Sequence, residues 1–104
     1  MAEAYIVAAT RTAGGRKGGR LREWHPADLG AVVLNELVDR TGIDPAVIED
    51  VVMGCVMQVG EQATNVARGA VLASKLPESV PATSVDRQCG SSQQALHLAA
   101  QAVM

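Results

Sequence analysis

The residues with the clearest chemical potential run from position 85 to position 95: Val85-Asp86-Arg87-Gln88-Cys89-Gly90-Ser91-Ser92-Gln93-Gln94-Ala95. A short extended pattern ends there and a helical pattern begins, with Cys89 at the junction. The positive end of a helix stabilises a thiolate placed at its start. Gly90, Ser91 and Ser92 are small and leave room for a substrate carbonyl beside the sulfur. The backbone N–H of Cys89 is one of the donors that a helix start leaves unpaired, so it can also stabilise an oxyanion on an attached acyl group. This is the strand-turn-helix logic of a nucleophile elbow, with sulfur in place of oxygen. The competing reading of the same residues is a structural thiol buried at a helix start.

A nucleophilic cysteine needs a base and a proton donor. His97 lies eight residues after Cys89 on the same expected helix, about 12 Å along its axis, too far for a hydrogen bond. His25 precedes a helix and most simply acts in its cap. Cys55 sits inside an apolar run and reads as a small hydrophobe. The two cysteines and two histidines have no metal-ligand spacing, so no metal site is expected. Five of the nine basic residues (Arg11, Arg16, Lys17, Arg20 and Arg22) fall in a loop containing Gly14, Gly15, Gly18 and Gly19. That loop matches neither a P-loop nor a dinucleotide fingerprint. It is a solvated loop or a local basic patch facing an anionic ligand or a partner subunit.

These residues must be positioned by ordinary elements. Residues 4–10 form an apolar run with β-branched members and predict a buried strand. Pro26 can open a helix over 26–40, with Asp28 in its first turn, Leu29, Val32, Val33 and Leu37 on one stripe, and Gly42 as its stop. Asp44-Pro45 starts a short turn through Ile48. Residues 51–57 predict a second strand, with Gly54 inside it. Thr64 or Asn65 caps a helix to about Ser74, with Val66, Ala70 and Val71 at helical spacing. Residues 82–85 predict a third strand, extending towards Arg87. Residues 90–104 predict a helix with Leu96, Ala99, Ala100 and Val103 on its apolar face, buried on most sides. Strands alternating with helices indicate an α/β fold with a parallel sheet.

Composition removes other classes. The chain has 104 residues, enough for one small domain. Tyr5 and Trp24 are its only aromatic residues and its formal net charge is −2. That disfavours stacking platforms and a polyanion partner, so no nucleic acid is expected. There is no signal-peptide pattern and no apolar run long enough to span a membrane. The expectation is a cytoplasmic protein with free thiols and no membrane partner.

Several separated motifs, in order, resemble the N-terminal part of the thiolase family of acyl-CoA C-acyltransferases. They are Arg11-Thr12 followed by Gly15, Gly54-x-Val56-x-Gln58-x-Gly60, Asn65-x-Ala67-Arg68, Leu76-Pro77, Val80-Pro81-Ala82, and Cys89-Gly90-Ser91-Ser92. The resemblance runs from Tyr5 to Met104. Ala13 stands where many members have Pro, Asp86 where Asn is usual, and Gln93 where an apolar residue is common. The Gln93-Gln94 variant resembles some bacterial lipid-degrading members.

The resemblance implies a layered αβαβα fold, this chain being the β-α-β-α-β-α start of its N-terminal half. It implies that Cys89 is the catalytic nucleophile for reversible thiolysis of 3-ketoacyl-CoA to acetyl-CoA and acyl-CoA. The activating histidine, the second catalytic cysteine and most CoA-holding residues of the family lie in its C-terminal half. Cys55 lacks the motif of that second cysteine. No organic cofactor or metal is implied, since coenzyme A is a substrate. The strand near 82–85 lies at the subunit interface in the family, which implies a homodimer or homotetramer. The alternatives are a ketoacyl-synthase-type condensing enzyme on the same fold and a non-catalytic interaction fragment. Because the last helical pattern reaches Met104 with no stop signal, residues 1–104 are expected to be part of a longer domain and inactive alone.

Overall fold

The computed structural model describes residues 2–104. Helix α1 spans Pro26–Thr41. His25 precedes it in an extended conformation, and its Nδ1 accepts the Ala27 N–H at 3.1 Å. Pro26 occupies the first helical position, where no N–H is needed. At the other end Gly42 turns left-handed at φ 67°, and its N–H returns to the Val38 carbonyl. A short 3-10 turn over Pro45–Val47 follows, capped by Asp44 Oδ1 on the Ala46 N–H.

Strand β1, Val51–Gly54, pairs in parallel with strand β2, Ala82–Val85. The register runs from Val51 opposite Ala82 to Gly54 opposite Val85. Parallel neighbours need a crossover, and helix α2, Val66–Ala73, lies within it. Asn65, not Thr64, caps α2: its Oδ1 accepts the Arg68 N–H at 3.1 Å. The same side chain holds the helix to the sheet, donating through Nδ2 to the Ala82 carbonyl and accepting from Ser84 Oγ. Ser84 Oγ in turn accepts the Ala67 N–H, and the Arg68 guanidinium donates to the Val80 carbonyl. Helix α3, Ser91–Val103, follows β2 after a tight turn.

The core is Val38, Val71, Leu76 and Val80, with Leu34, Ile48, Val51 and Ala82 packed around it. Small residues let α1 and α2 approach closely, with Ala27 and Gly30 meeting Gly69 and Ala70. Val66, Ala70 and Val71 are buried, as their helical spacing predicts, and Ala67 is buried with them.

Several expectations need correction. Residues 4–10 form no strand: Tyr5, Ile6 and Val7 are more than 70% exposed, and the segment pairs with no other backbone among the described residues. An apolar β-branched run favours extended backbone, but only a neighbouring edge makes it a strand. It is tethered to α1 by Arg40, whose guanidinium donates to the Ala9 carbonyl at 2.7 Å. On α1 the buried positions are Ala31 and Val38, while Val32 of the expected stripe is 43% exposed. The helix is apolar over a wide arc, and the side that meets α2 and β1 is set by tertiary packing. On α3 only Ser91 and Ala95 are buried, and Leu96 and Val103 are exposed. The expectation of a helix buried on most sides therefore fails for the described residues. β1 is also shorter than the 51–57 run, ending at Gly54, and β2 ends at Val85. The α/β class with a parallel sheet stands.

Candidate active site

The turn between β2 and α3 is held together by its own polar groups. Asp86 Oδ1 accepts the Gln88 N–H at 2.9 Å, forming an Asx-type turn. Gln88 has φ 49°, in the left-handed region that non-glycine residues seldom enter. The Gly90 N–H then donates to the Arg87 carbonyl and the Ser91 N–H to the Gln88 carbonyl. Ser91 Oγ accepts the Arg87 N–H at 2.9 Å and donates to the Gln88 carbonyl at 2.6 Å. The Arg87 guanidinium is drawn along the helix to Gln94 Oε1. Between Gln88 and Gly90, Cys89 is exposed and its thiol is free.

The turn is also pressed against the sheet. A Cβ on Gly54 would lie 2.4 Å from the Ser92 nitrogen and 2.5 Å from the Ser91 carbonyl carbon. No heavy atom fits there, so the first turn of α3 rests directly on the backbone of β1. Gly54 is thus a site residue that the nucleophile motif does not reveal. A glycine inside a strand is the signal for such an approach.

No side chain caps α3: Gly90 takes the cap position and contributes none. The Ser91 N–H is taken by the Gln88 carbonyl, and the Ser92 and Gln93 N–H groups remain as donors at the helix start, where the dipole is positive. The arrangement joins an exposed thiol, a positive helix end and free N–H donors. It can attack a carbonyl and stabilise the charge that develops on its oxygen.

The structure does not bring a base to this thiol. His25 is exposed and spends Nδ1 on the cap of α1. His97 is exposed on α3 and lines a shallow hollow with Arg87, Gly90, Gln93 and Gln94, which Cys89 does not line. Cys55 is half-buried just past β1. Its N–H donates to the Val85 carbonyl, and its sulfur accepts a 3.6 Å contact from Gln62 Nε2. It behaves as a packing residue. Arg11, Arg16, Lys17, Arg20 and Arg22 are exposed. The tight turn among them is closed by the Gly19 N–H on the Arg16 carbonyl. Among the described residues no cluster of His, Cys, Asp and Glu could hold a metal ion. No helix there is long and apolar enough to cross a membrane.

Comparison with known proteins places this chain in a family. A family model described as the thiolase N-terminal domain matches residues 4–104. A steroid 3-ketoacyl-CoA thiolase of Mycobacterium tuberculosis, FadA6, is 56% identical over all of this chain, which covers 26% of that protein. A 3-ketoacyl-CoA thiolase of Erwinia tasmaniensis is 49% identical over all of the chain, covering 27% of its length. One from Pseudoalteromonas translucida is 50% identical over 95% of the chain, covering 26% of its length. The chain spans about a quarter of the length of the curated relatives it matches. With the ordered motifs and the parallel α/β fold beside a family model that matches residues 4–104, the chain belongs to the thiolase family and carries sequence of its N-terminal domain.

Proposed function

We propose that this chain is the nucleophile-bearing part of a 3-ketoacyl-CoA thiolase, with Cys89 as its acylated residue. The observation that carries the reading is the placement of Cys89. It is an exposed thiol on a tight turn, directly before an uncapped helix start, in a chain of the thiolase family. In the forward direction the Cys89 thiolate forms a bond to the 3-keto carbon of a 3-ketoacyl-CoA. The bond between C2 and C3 then breaks, and its electron pair leaves with the acetyl-CoA fragment, which takes up a proton. The thiolate of a second CoA attacks the resulting thioester, releases acyl-CoA and returns the Cys89 thiolate. In reverse, acyl-CoA (acetyl-CoA in the simplest case) acylates Cys89 and releases CoA. C2 of an acetyl-CoA, having lost a proton, then attacks the thioester to give 3-ketoacyl-CoA and the free Cys89 thiolate.

The groups that move the protons are not among the described residues, since neither His25 nor His97 reaches the thiol. The reading therefore includes a longer protomer that supplies them, acting as a homodimer or homotetramer in a reducing, cytoplasmic setting. CoA and acyl-CoA are its partners, and it needs no resident cofactor. The 104-residue chain alone is inactive.

The test is acetylation of Cys89 by acetyl-CoA in the complete protomer, followed by mass spectrometry of the Cys89 peptide. The expected result is a single acetyl group on Cys89 that is discharged by added CoA. Acetylation absent at Cys89, or equal in a Cys89→Ala protein, rejects the reading. Thiolysis of acetoacetyl-CoA by the 104-residue chain, above its Cys89→Ala control, rejects the claim that it is inactive alone.

A further inference from the structure

We propose that Ser91 is a positioning residue for this chemistry: its hydroxyl orients the Cys89 N–H as the donor to the developing oxyanion. The inference rests on the reading of Cys89 as the acylated nucleophile.

Ser91 is the buried polar residue among the described ones, 4% exposed. Both bonds of its hydroxyl go to residues that precede Cys89, the Arg87 N–H and the Gln88 carbonyl. The Gln88 carbonyl also receives the Ser91 N–H at 3.1 Å, so one oxygen is held by two donors of one residue. That oxygen shares a planar peptide unit with the Cys89 N–H. In a trans peptide the two point in opposite directions, and this chain has no cis bond among the described residues. Holding the Gln88 carbonyl towards Ser91 therefore aims the Cys89 N–H in the opposite direction, away from Ser91.

The strain at Gln88 supports the same assignment. A non-glycine residue with φ 49° is strained and persists only where its surroundings over-determine it. Asp86 fixes the Gln88 N–H and Ser91 fixes its carbonyl, so both ends of the strained residue are held. Beneath them, the contact between Gly54 and the backbone of Ser91 and Ser92 keeps Ser91 itself from moving.

An orientation role separates two reactions of the same sulfur. Acyl transfer develops an oxyanion, whereas alkylation by iodoacetamide does not. In the complete protomer, Ser91→Ala is expected to lower the rate of Cys89 acetylation by acetyl-CoA about 30-fold, below the full loss of an oxyanion donor. The KM for acetyl-CoA and the rate of Cys89 alkylation stay within about twofold of wild type, and Ser91→Thr, which keeps the hydroxyl, recovers most of the loss. Alkylation of Cys55, read from its own peptide, reports whether the fold is intact.

Unchanged acetylation in Ser91→Ala overturns the inference and leaves the nucleophile reading standing. Acetylation and alkylation falling in parallel also overturns it, because the hydroxyl then only holds the sulfur in place. If Ser91→Ala exposes Cys55 through general loosening, Ser91→Thr decides. Acetylation of the Ser91→Thr protein below a tenth of wild type, with its Cys55 still protected, overturns the inference. A wild-type protomer that is never acetylated at Cys89 overturns both.

Discussion

Helices α2 and α3 are both short on charge and rich in alanine, and both pack on the same two-stranded sheet. Their first turns are built in opposite ways. At α2 the side chain of Asn65 caps the helix, Ser84 takes another first-turn N–H, and four residues of the helix are buried. At α3 a glycine stands in the cap position, no side chain closes the donors, and a thiol sits one residue upstream. The first is the economy of a structural element, in which exposed donors are satisfied wherever the fold permits. The second leaves its donors free for something else. A helix start left without a side-chain cap beside an exposed thiol is the feature on which the proposed role of Cys89 rests.

The contrast can be broken most sharply at the sulfur. Cys89→Ala should reduce thiolysis by the complete protomer about 10⁴-fold or more. Because Cys89 is exposed, its urea unfolding free energy should stay within about 0.5 kcal/mol of wild type. A large loss of stability would assign Cys89 to structure instead. Next is the contact beneath the turn. Gly54→Ala places a Cβ against the Ser92 nitrogen, and should cost about 3 kcal/mol in urea unfolding. A variant as stable as wild type would mean that α3 does not rest on β1.

Opening the closed helix is the third test. Asn65→Ala removes the α2 cap and its bonds to Ala82 and Ser84, and should cost about 2 kcal/mol. Cys89 alkylation by iodoacetamide should be unaffected under conditions where the protein stays folded. Closing the open helix is the fourth and smallest. Gly90→Asp should stabilise the protein by a few tenths of a kcal/mol through the new cap. It should also slow Cys89 acetylation about fivefold, because the carboxylate occupies the donors and adds negative charge beside the thiolate. Faster acetylation in this variant would show that the open donors are not used.

Local signals in the sequence account for much of this architecture. The cap of α1, the Asp44-Pro45 turn, Asn65 before α2 and the left-handed Gly42 all follow from side chains that satisfy or release nearby backbone groups. Cys89 at a strand-to-helix junction is legible for the same reason. What escapes is decided between distant segments. Residues 4–10 have the composition of a strand but no adjacent edge. The face that α1 buries is chosen by α2 and β1, not by its own wide apolar arc. Gln88 offers no hint of a left-handed conformation, because the forces holding it come from Asp86 and Ser91. Gly54 is visible as an odd residue for a strand, but its partner lies 37 to 38 positions away, at Ser91 and Ser92.

That contact ties the display of the Cys89 thiol to correct folding of the sheet. Gly54 lies opposite Val85, the last residue of β2 before the turn. A slip of β1 by one position would bring Met53 or Cys55 to that place and turn the pleat over. Either side chain would fill the space that the first turn of α3 requires. A mispaired sheet therefore cannot seat the helix, and an unseated helix cannot hold the thiol at its end. Display of the thiol at position 89 becomes a report on strand register.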